Sequence, residues 1–122
     1  MQHSEAFLKI VNDCKAHIKE LTIAETKARV DKDKSIKLID VREDREWALG
    51  HIDGAEHIGK GVIERDIESK IPDKDTEIIL YCGGGFRSAL SAEALQKMGY
   101  RNVYSMDGGW RAWAEAGYPV DM

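Results

Sequence analysis

Glu77-Ile78-Ile79-Leu80-Tyr81-Cys82-Gly83-Gly84-Gly85-Phe86-Arg87-Ser88-Ala89 is an apolar run that ends on a cysteine, three glycines and an arginine. A β-branched and aromatic run of this length, stopped by glycine, reads as a buried strand of a parallel sheet, with the cysteine where the strand ends. Beyond it Leu90, Ala94, Leu95 and Met98 recur on one side of a helical pattern that stops at Gly99, so a helix begins close to Ser88. Glycines let the backbone wrap tightly and turn successive N–H groups inward, and the start of a helix adds unsatisfied amides and partial positive charge. The stretch reads as an anion cradle with a sulfur inside it. Gly84 is the glycine expected to present an inward amide from unusual backbone angles.

The chemistry follows from ionisation. A free thiol with a pKa near 8.5 is about 3% thiolate at neutral pH, whereas cysteines at helix N-termini or beside arginine fall to roughly 3.5–7.5 and are mostly ionised. Only the thiolate attacks. Most free cysteines are small buried hydrophobes, but three glycines and an arginine serve no purpose around a packing cysteine. Cys82 is therefore the candidate catalytic nucleophile, and Gly83, Gly84, Gly85, Phe86, Arg87 and Ser88 are its candidate binding loop. Arg87 suits two roles, closing the loop on backbone carbonyls or binding a donor's oxygens, and the first is favoured.

Three further motifs stand in order along the chain: Asp40-Val41-Arg42-Glu43, Gly50-His51-Ile52-Asp53-Gly54-Ala55 and Asp107-Gly108-Gly109-Trp110. With the strand, the Cys-x-x-x-x-Arg loop and the helix, they resemble the rhodanese homology domain, the single-domain sulfurtransferases, over about residues 21–118. An ordered set of four motifs is specific where any one is weak. One departure is Asp53, where that family commonly has proline; it removes a stiff turn residue and touches no chemistry. The resemblance implies a rhodanese-like three-layer fold and sulfur transfer through a persulfide on Cys82. Its donor is a small anion such as thiosulfate, and its acceptor is cyanide or a thiol, free or on a protein. It implies no metal and no organic cofactor, because the sulfur rides on the protein.

The remaining sequence is consistent with one such domain. A chain of 122 residues builds a single core. Net charge is −4 with acids and bases interspersed, so no basic face for nucleic acid is implied. Cys14 and Cys82 have neither CxxC nor Cys/His metal spacing. No apolar stretch approaches membrane length, no signal-peptide pattern opens the chain, and a cytoplasmic location is expected, where thiols stay reduced.

Residues 4–21 carry Phe7, Ile10, Val11, Cys14, Ile18 and Leu21 at helical spacing and read as an amphipathic helix, an extension over residues 1–20 preceding the rhodanese-like domain at 21–122. Cys14, on the apolar stripe, reads as a structural thiol. Thr22 and Glu25 form a capping box for a second helix. A short strand at 37–41 delivers Asp40 and Arg42 to the sheet edge where ligand sites gather; a structural ion pair is the favoured reading, with a supporting role at the site as the alternative. Trp47 is expected inward, and His51 is left out of the mechanism because sulfur transfer from a preformed thiolate needs no base. Lys60 and Arg65 follow another short strand; both read as solvated, or as cations that attract an anionic donor. Trp110 and Trp113 read as core anchors. Strands alternate with helices, giving an α/β fold with a parallel sheet of about five strands and helices on both faces.

Two other functions compete. Phosphatases and arsenate reductases of the same architecture also pair a cysteine with an arginine, but across five residues; here four intervene, Gly83 to Phe86, and the smaller cradle suits one sulfur better than a phosphate. The other competitor is a docking or sulfur-carrier module, for which the N-terminal helix would serve a partner.

Overall fold

Why a strand of four residues suffices is answered by where its side chains go: in β5 (Ile78–Tyr81) all four residues are buried. Ile78 and Leu80 enter one core cluster and Ile79 and Tyr81 the other. That is the signature of a strand covered on both faces. The structure, a computed structural model, describes residues 2–122. Its elements are α1 (Glu5–Lys15), β1 (Lys19–Leu21), α2 (Ile23–Lys32), β2 (Lys37–Asp40), α3 (Asp44–Leu49), β3 (His51–Ile52) and β4 (Glu56–His57). After them come α4 (Ile63–Lys70), β5, α5 (Phe86–Lys97), β6 (Val103–Met106), α6 (Gly109–Glu115) and β7 (Val120–Asp121).

The main sheet has five strands in the order β1-β6-β5-β2-β4, every pairing parallel. Residues from α4 and α5 (Ile63, Ile67, Ala92, Leu95) pack with Ile39, Ile78 and Leu80 on one face. Trp113 of α6 and Ile23 and Val30 of α2 pack with Leu38, Ile79 and Tyr81 on the other. The expected three-layer α/β architecture is the observed one. The predicted capping box of α2 is present, with Thr22 Oγ1 accepting from Glu25 N at 3.1 Å and Glu25 Oε1 accepting from Thr22 N at 2.9 Å.

Two readings of the sequence change. The N-terminal helix stops at Lys15 instead of running to residue 21, because Lys19–Leu21 add to the sheet edge in register with Tyr104, Ser105 and Met106. Leu21 keeps the buried position its apolar character demanded, but as a strand residue, so a division of the chain at residue 20 falls inside β1. The helix itself lies against α5, with Val11 and Cys14 buried and Cys14 Sγ donating to Ala89 O at 3.0 Å. Trp47 is half-buried and belongs to neither core cluster; its ring stacks on His51 at 3.5 Å between centroids and on His57 at 5.0 Å. Trp113 is a core anchor, and Trp110 packs at the edge of the same cluster.

Candidate active site

The carboxyl ends of β2, β5 and β6 lie side by side, and the loops leaving them converge, the usual place for a ligand in an open α/β sheet. Cys82 follows β5 directly. Gly85 then takes the left-handed conformation (φ +105°) as N-cap of α5, whose first turn starts at Phe86. The chain from Cys82 to Ser88 thereby curls around the sulfur: Gly85 N donates to Cys82 Sγ at 3.2 Å and Ser88 N at 3.4 Å. Ser88 Oγ lies 3.5 Å from the same sulfur and 2.7 Å from Ser105 Oγ of β6, which holds the hydroxyl in place. Burial of the thiol opposes ionisation; the Ser88 hydroxyl and the amides of Ser88, Gly84 and Gly85 outweigh it, leaving the Cys82 pKa below its ordinary value. The loop has the expected curl, with two backbone amides directed at the sulfur.

Its glycines divide the labour differently from the sequence reading. Gly84 has no positive φ, and a methyl group there would meet only Arg111 Nη1, at 3.9 Å. The residue requiring unusual backbone angles is Gly85, where a methyl would also lie 3.3 Å from Asp107 Oδ1. A second requirement comes from outside the loop. Trp110 N donates to Cys82 O at 2.8 Å and Arg111 N to Gly83 O at 3.1 Å, so the first turn of α6 takes the loop's carbonyls and leaves its amides to the sulfur. This clamp brings Gly109, itself at φ +58°, so close that a methyl would stand 2.4 Å from Cys82 O. The Asp107-Gly108-Gly109-Trp110 motif is thus the back wall of the cysteine loop.

Arg87 does not close the loop on backbone carbonyls. Its guanidinium forms a two-pronged pair with Glu46 of α3, Nη1 to Oε1 at 2.7 Å and Nη2 to Oε2 at 3.1 Å. Arg87 holds the Glu46 carboxyl down to about 2, its hydrogen bond being the largest cause. Glu46 Oε1 also accepts from Glu43 N at 3.1 Å, which fixes it at the start of the helix. Sequence reasoning missed Glu46 and Gly109. The sign of Glu46 was its position three residues into α3, where a carboxylate caps the first turn; its partner 41 residues on left no trace in the local pattern.

The other candidates are placed as follows. Asp40 and Arg42 are buried together: Arg42 Nη2 donates to Asp40 Oδ2 at 2.8 Å and to Gly50 O at 2.6 Å, tying β2 to the turn before β3. Neither lines the cleft over Cys82. Lys60 is exposed on a neighbouring hollow of about 550 Å³, which shares Glu43, Arg45 and Arg87 with that cleft. Arg65 is not brought to the site: it stands on the outer face of α4, paired with Asp66 at 2.7 Å. His51 Nδ1 faces Trp47 O at 3.2 Å and its ring stacks on Trp47. Burial pushes the Cys14 thiol up to about 11, the opposite of Cys82.

The cleft above Cys82 has a volume of about 630 Å³ and is walled by the loop, by Arg45, Glu46 and Arg111, and by His3 and Phe7 of the N-terminal segment. Residues 22–116 match the model of the family described as the rhodanese-like domain. The chain belongs to the rhodanese-like domain family. Among relatives, it is 40% identical over 96 residues to the putative sulfurtransferase YtwF of Bacillus subtilis, covering 79% of this chain and 90% of that one. It is 36% identical over 100 residues to the thiosulfate sulfurtransferase GlpE of Pseudoalteromonas translucida, covering 82% and 91%. Other curated relatives are longer, and this rhodanese-like chain spans about half of their length or less. Among solved structures, a Rhodopseudomonas palustris protein described as of unknown function and a possible tyrosine phosphatase superposes with a TM-score of 0.87 at 28% identity, covering 99% of this chain and 98% of that one. The similarity there extends to α1, which lies outside residues 22–116.

Proposed function

We propose that the protein is a sulfurtransferase in which the Cys82 thiolate carries the sulfur. The observation that carries this reading is the polar ring around Cys82 Sγ: the amides of Gly85 and Ser88 donate to it and the Ser88 hydroxyl lies 3.5 Å away, able to donate once the sulfur is ionised, with the loop carbonyls drawn away by α6. In the first step the thiolate attacks the outer sulfur of thiosulfate. A bond forms between Cys82 Sγ and that sulfur, the old sulfur–sulfur bond breaks, and its electron pair leaves on sulfite. The product is a persulfide anion on Cys82. In the second step an acceptor thiolate or cyanide attacks the terminal sulfur, and the electron pair returns to Cys82. The same donors face negative charge on sulfur before and after each step, a preorganised stabilisation of the oxyanion-hole kind.

Arg87 is proposed as a positioning residue. Its fork is occupied by Glu46, so it shapes the loop and adds positive potential beside Cys82 instead of gripping a phosphate. That arrangement, with four residues between Cys82 and Arg87, argues against the phosphatase reading. The relatives named as sulfurtransferases support the proposal in general terms, without naming this chain's donor or acceptor.

Intact-mass measurement after brief incubation with thiosulfate tests the proposal. A reductant-labile gain of one sulfur atom on the wild type, absent from Cys82→Ser, is the expected result. A folded wild type that gains nothing from thiosulfate or from an organic sulfane donor, or turns over a phosphorylated model substrate as fast as thiosulfate, would refute it.

A further inference from the structure

Part of the lining of the cleft over Cys82 comes from residues outside the family match. His3 and Phe7 come from the segment before and within α1, and their rings meet Phe86 of the loop at 4.9 and 6.2 Å between centroids. All three are half-buried, and neither phenylalanine belongs to a core cluster. Large apolar side chains usually go to the core when a core is available. Here they line the same cleft as Cys82.

Arg111, which lines the same cleft, places Nη1 within 3.9 Å of the position a Gly84 side chain would take. Arg111 and Arg45 are exposed and form no ion pair among the described residues, unlike Arg87. Aromatic rings and unpaired guanidinium groups thus line one cleft together with the sulfur. Size points the same way. At roughly 30 Å³ per heavy atom, the share a water takes in liquid, the five heavy atoms of thiosulfate need about 150 Å³. The cleft offers about 630 Å³, within the range of organic ligands.

Resting on the reading of Cys82 as the sulfur-accepting nucleophile, we infer that His3, Phe7 and Phe86 form, with Arg111, a subsite for an organic sulfane-sulfur anion: an apolar R group on the aromatic wall, with a charged sulfur head toward Arg111 and Cys82. For a thiosulfonate, R–SO₂–S⁻, the Cys82 thiolate attacks the terminal sulfur. The bond between that sulfur and the sulfonyl sulfur breaks, and the electron pair leaves on the sulfinate, R–SO₂⁻. The N-terminal segment sets substrate preference, and the loop performs the transfer.

Binding and transfer are measured separately. Calorimetric titration of the full chain carrying Cys82→Ser compares benzenesulfonate with methanesulfonate, two anions with the same head and different bodies. The aryl anion is expected to bind about tenfold more tightly, the order given by covering part of a ring. Phe7→Ala and the milder Phe7→Leu should reduce that advantage toward one, and Arg111→Gln should weaken both anions. With Cys82 intact, the ratio of kcat/KM for benzenethiosulfonate over thiosulfate should fall in both Phe7 variants. Equal binding of the two anions, or an aryl advantage untouched in a folded Phe7→Leu protein, overturns the subsite. An aryl advantage without any sulfur transfer upholds the subsite and refutes the sulfurtransferase reading instead.

Discussion

Gly109→Ala tests the clamp that shapes the cysteine loop. The added methyl would lie 2.4 Å from Cys82 O, 2.8 Å from Gly83 C and 2.9 Å from Gly83 O. All three contacts are with backbone, so no side chain can swing aside. Three costs combine. A non-glycine residue at φ +58° loses about 1–2 kcal/mol in the left-handed region. Overpacking costs about 1–3 kcal/mol. Moving the loop away weakens the bonds from Trp110 N and Arg111 N, each contributing about 0.5–1.5 kcal/mol. Even the lower ends give about 3 kcal/mol, a large part of a domain's net stability and roughly 10 °C in Tm. The matched control is Gly84→Ala, where φ is not positive and the nearest atom is 3.9 Å away; its stability should stay within about 0.5 kcal/mol of wild type. Thermal and denaturant unfolding supply the comparison, and persulfide loading shows whether what remains folded still holds the loop. A Gly109→Ala protein as stable as the Gly84→Ala control and fully loaded by thiosulfate would refute the clamp.

Ser88→Ala removes the hydroxyl that most favours the Cys82 thiolate, so the inflection of alkylation rate against pH should move upward; an unmoved inflection would mean the amides alone hold the charge. Glu46→Gln should lower stability by about 1 kcal/mol at neutral pH, a modest figure because the pair is partly exposed to solvent. The Glu46 carboxyl sits at about 2 in the fold against an ordinary 4.5, so its contribution is complete above the unfolded value and is lost as pH falls through the folded one. The gap between wild type and Glu46→Gln in denaturant midpoint should accordingly be full above about pH 5 and close toward pH 2; a gap constant over that window would contradict the pairing. Cys14, buried and with its thiol pushed up to about 11, should escape iodoacetamide at pH 7 while Cys82 reacts. Mass analysis showing equal labelling of the two would disprove the contrast.

The cysteine loop was readable because its determinants are adjacent in sequence: a strand, a cysteine, glycines and a helix start follow one another directly from Ile78 to Phe86. The same holds for the capping box at Thr22 and Glu25, closed by two local hydrogen bonds. Lys19–Leu21 misled because three residues at a sheet edge carry too little period to stand apart from the helix before them. Arg65 is solvated, the reading its residue type favours; the alternative of reaching the site fails because following a strand end does not fix which way a helix turns its face, and α4 turns that residue outward.

By itself the sequence determined the parallel α/β architecture, the position of Cys82 at a strand end and the curl of backbone around it, because burial period and glycine stops are local physics. Tertiary structure decided what grips that curl and what stands over it. Glu46 reaches Arg87 from 41 residues away, α6 takes the loop's carbonyls, and Gly109 is required by a backbone contact invisible to any periodicity. His3 and Phe7 joined Phe86 only when α1 settled on α5, which turned an amphipathic helix with an open destination into one wall of the cleft. Long-range contacts of this kind depend on how separate elements dock, and a linear pattern records each element's own face without recording its partner's.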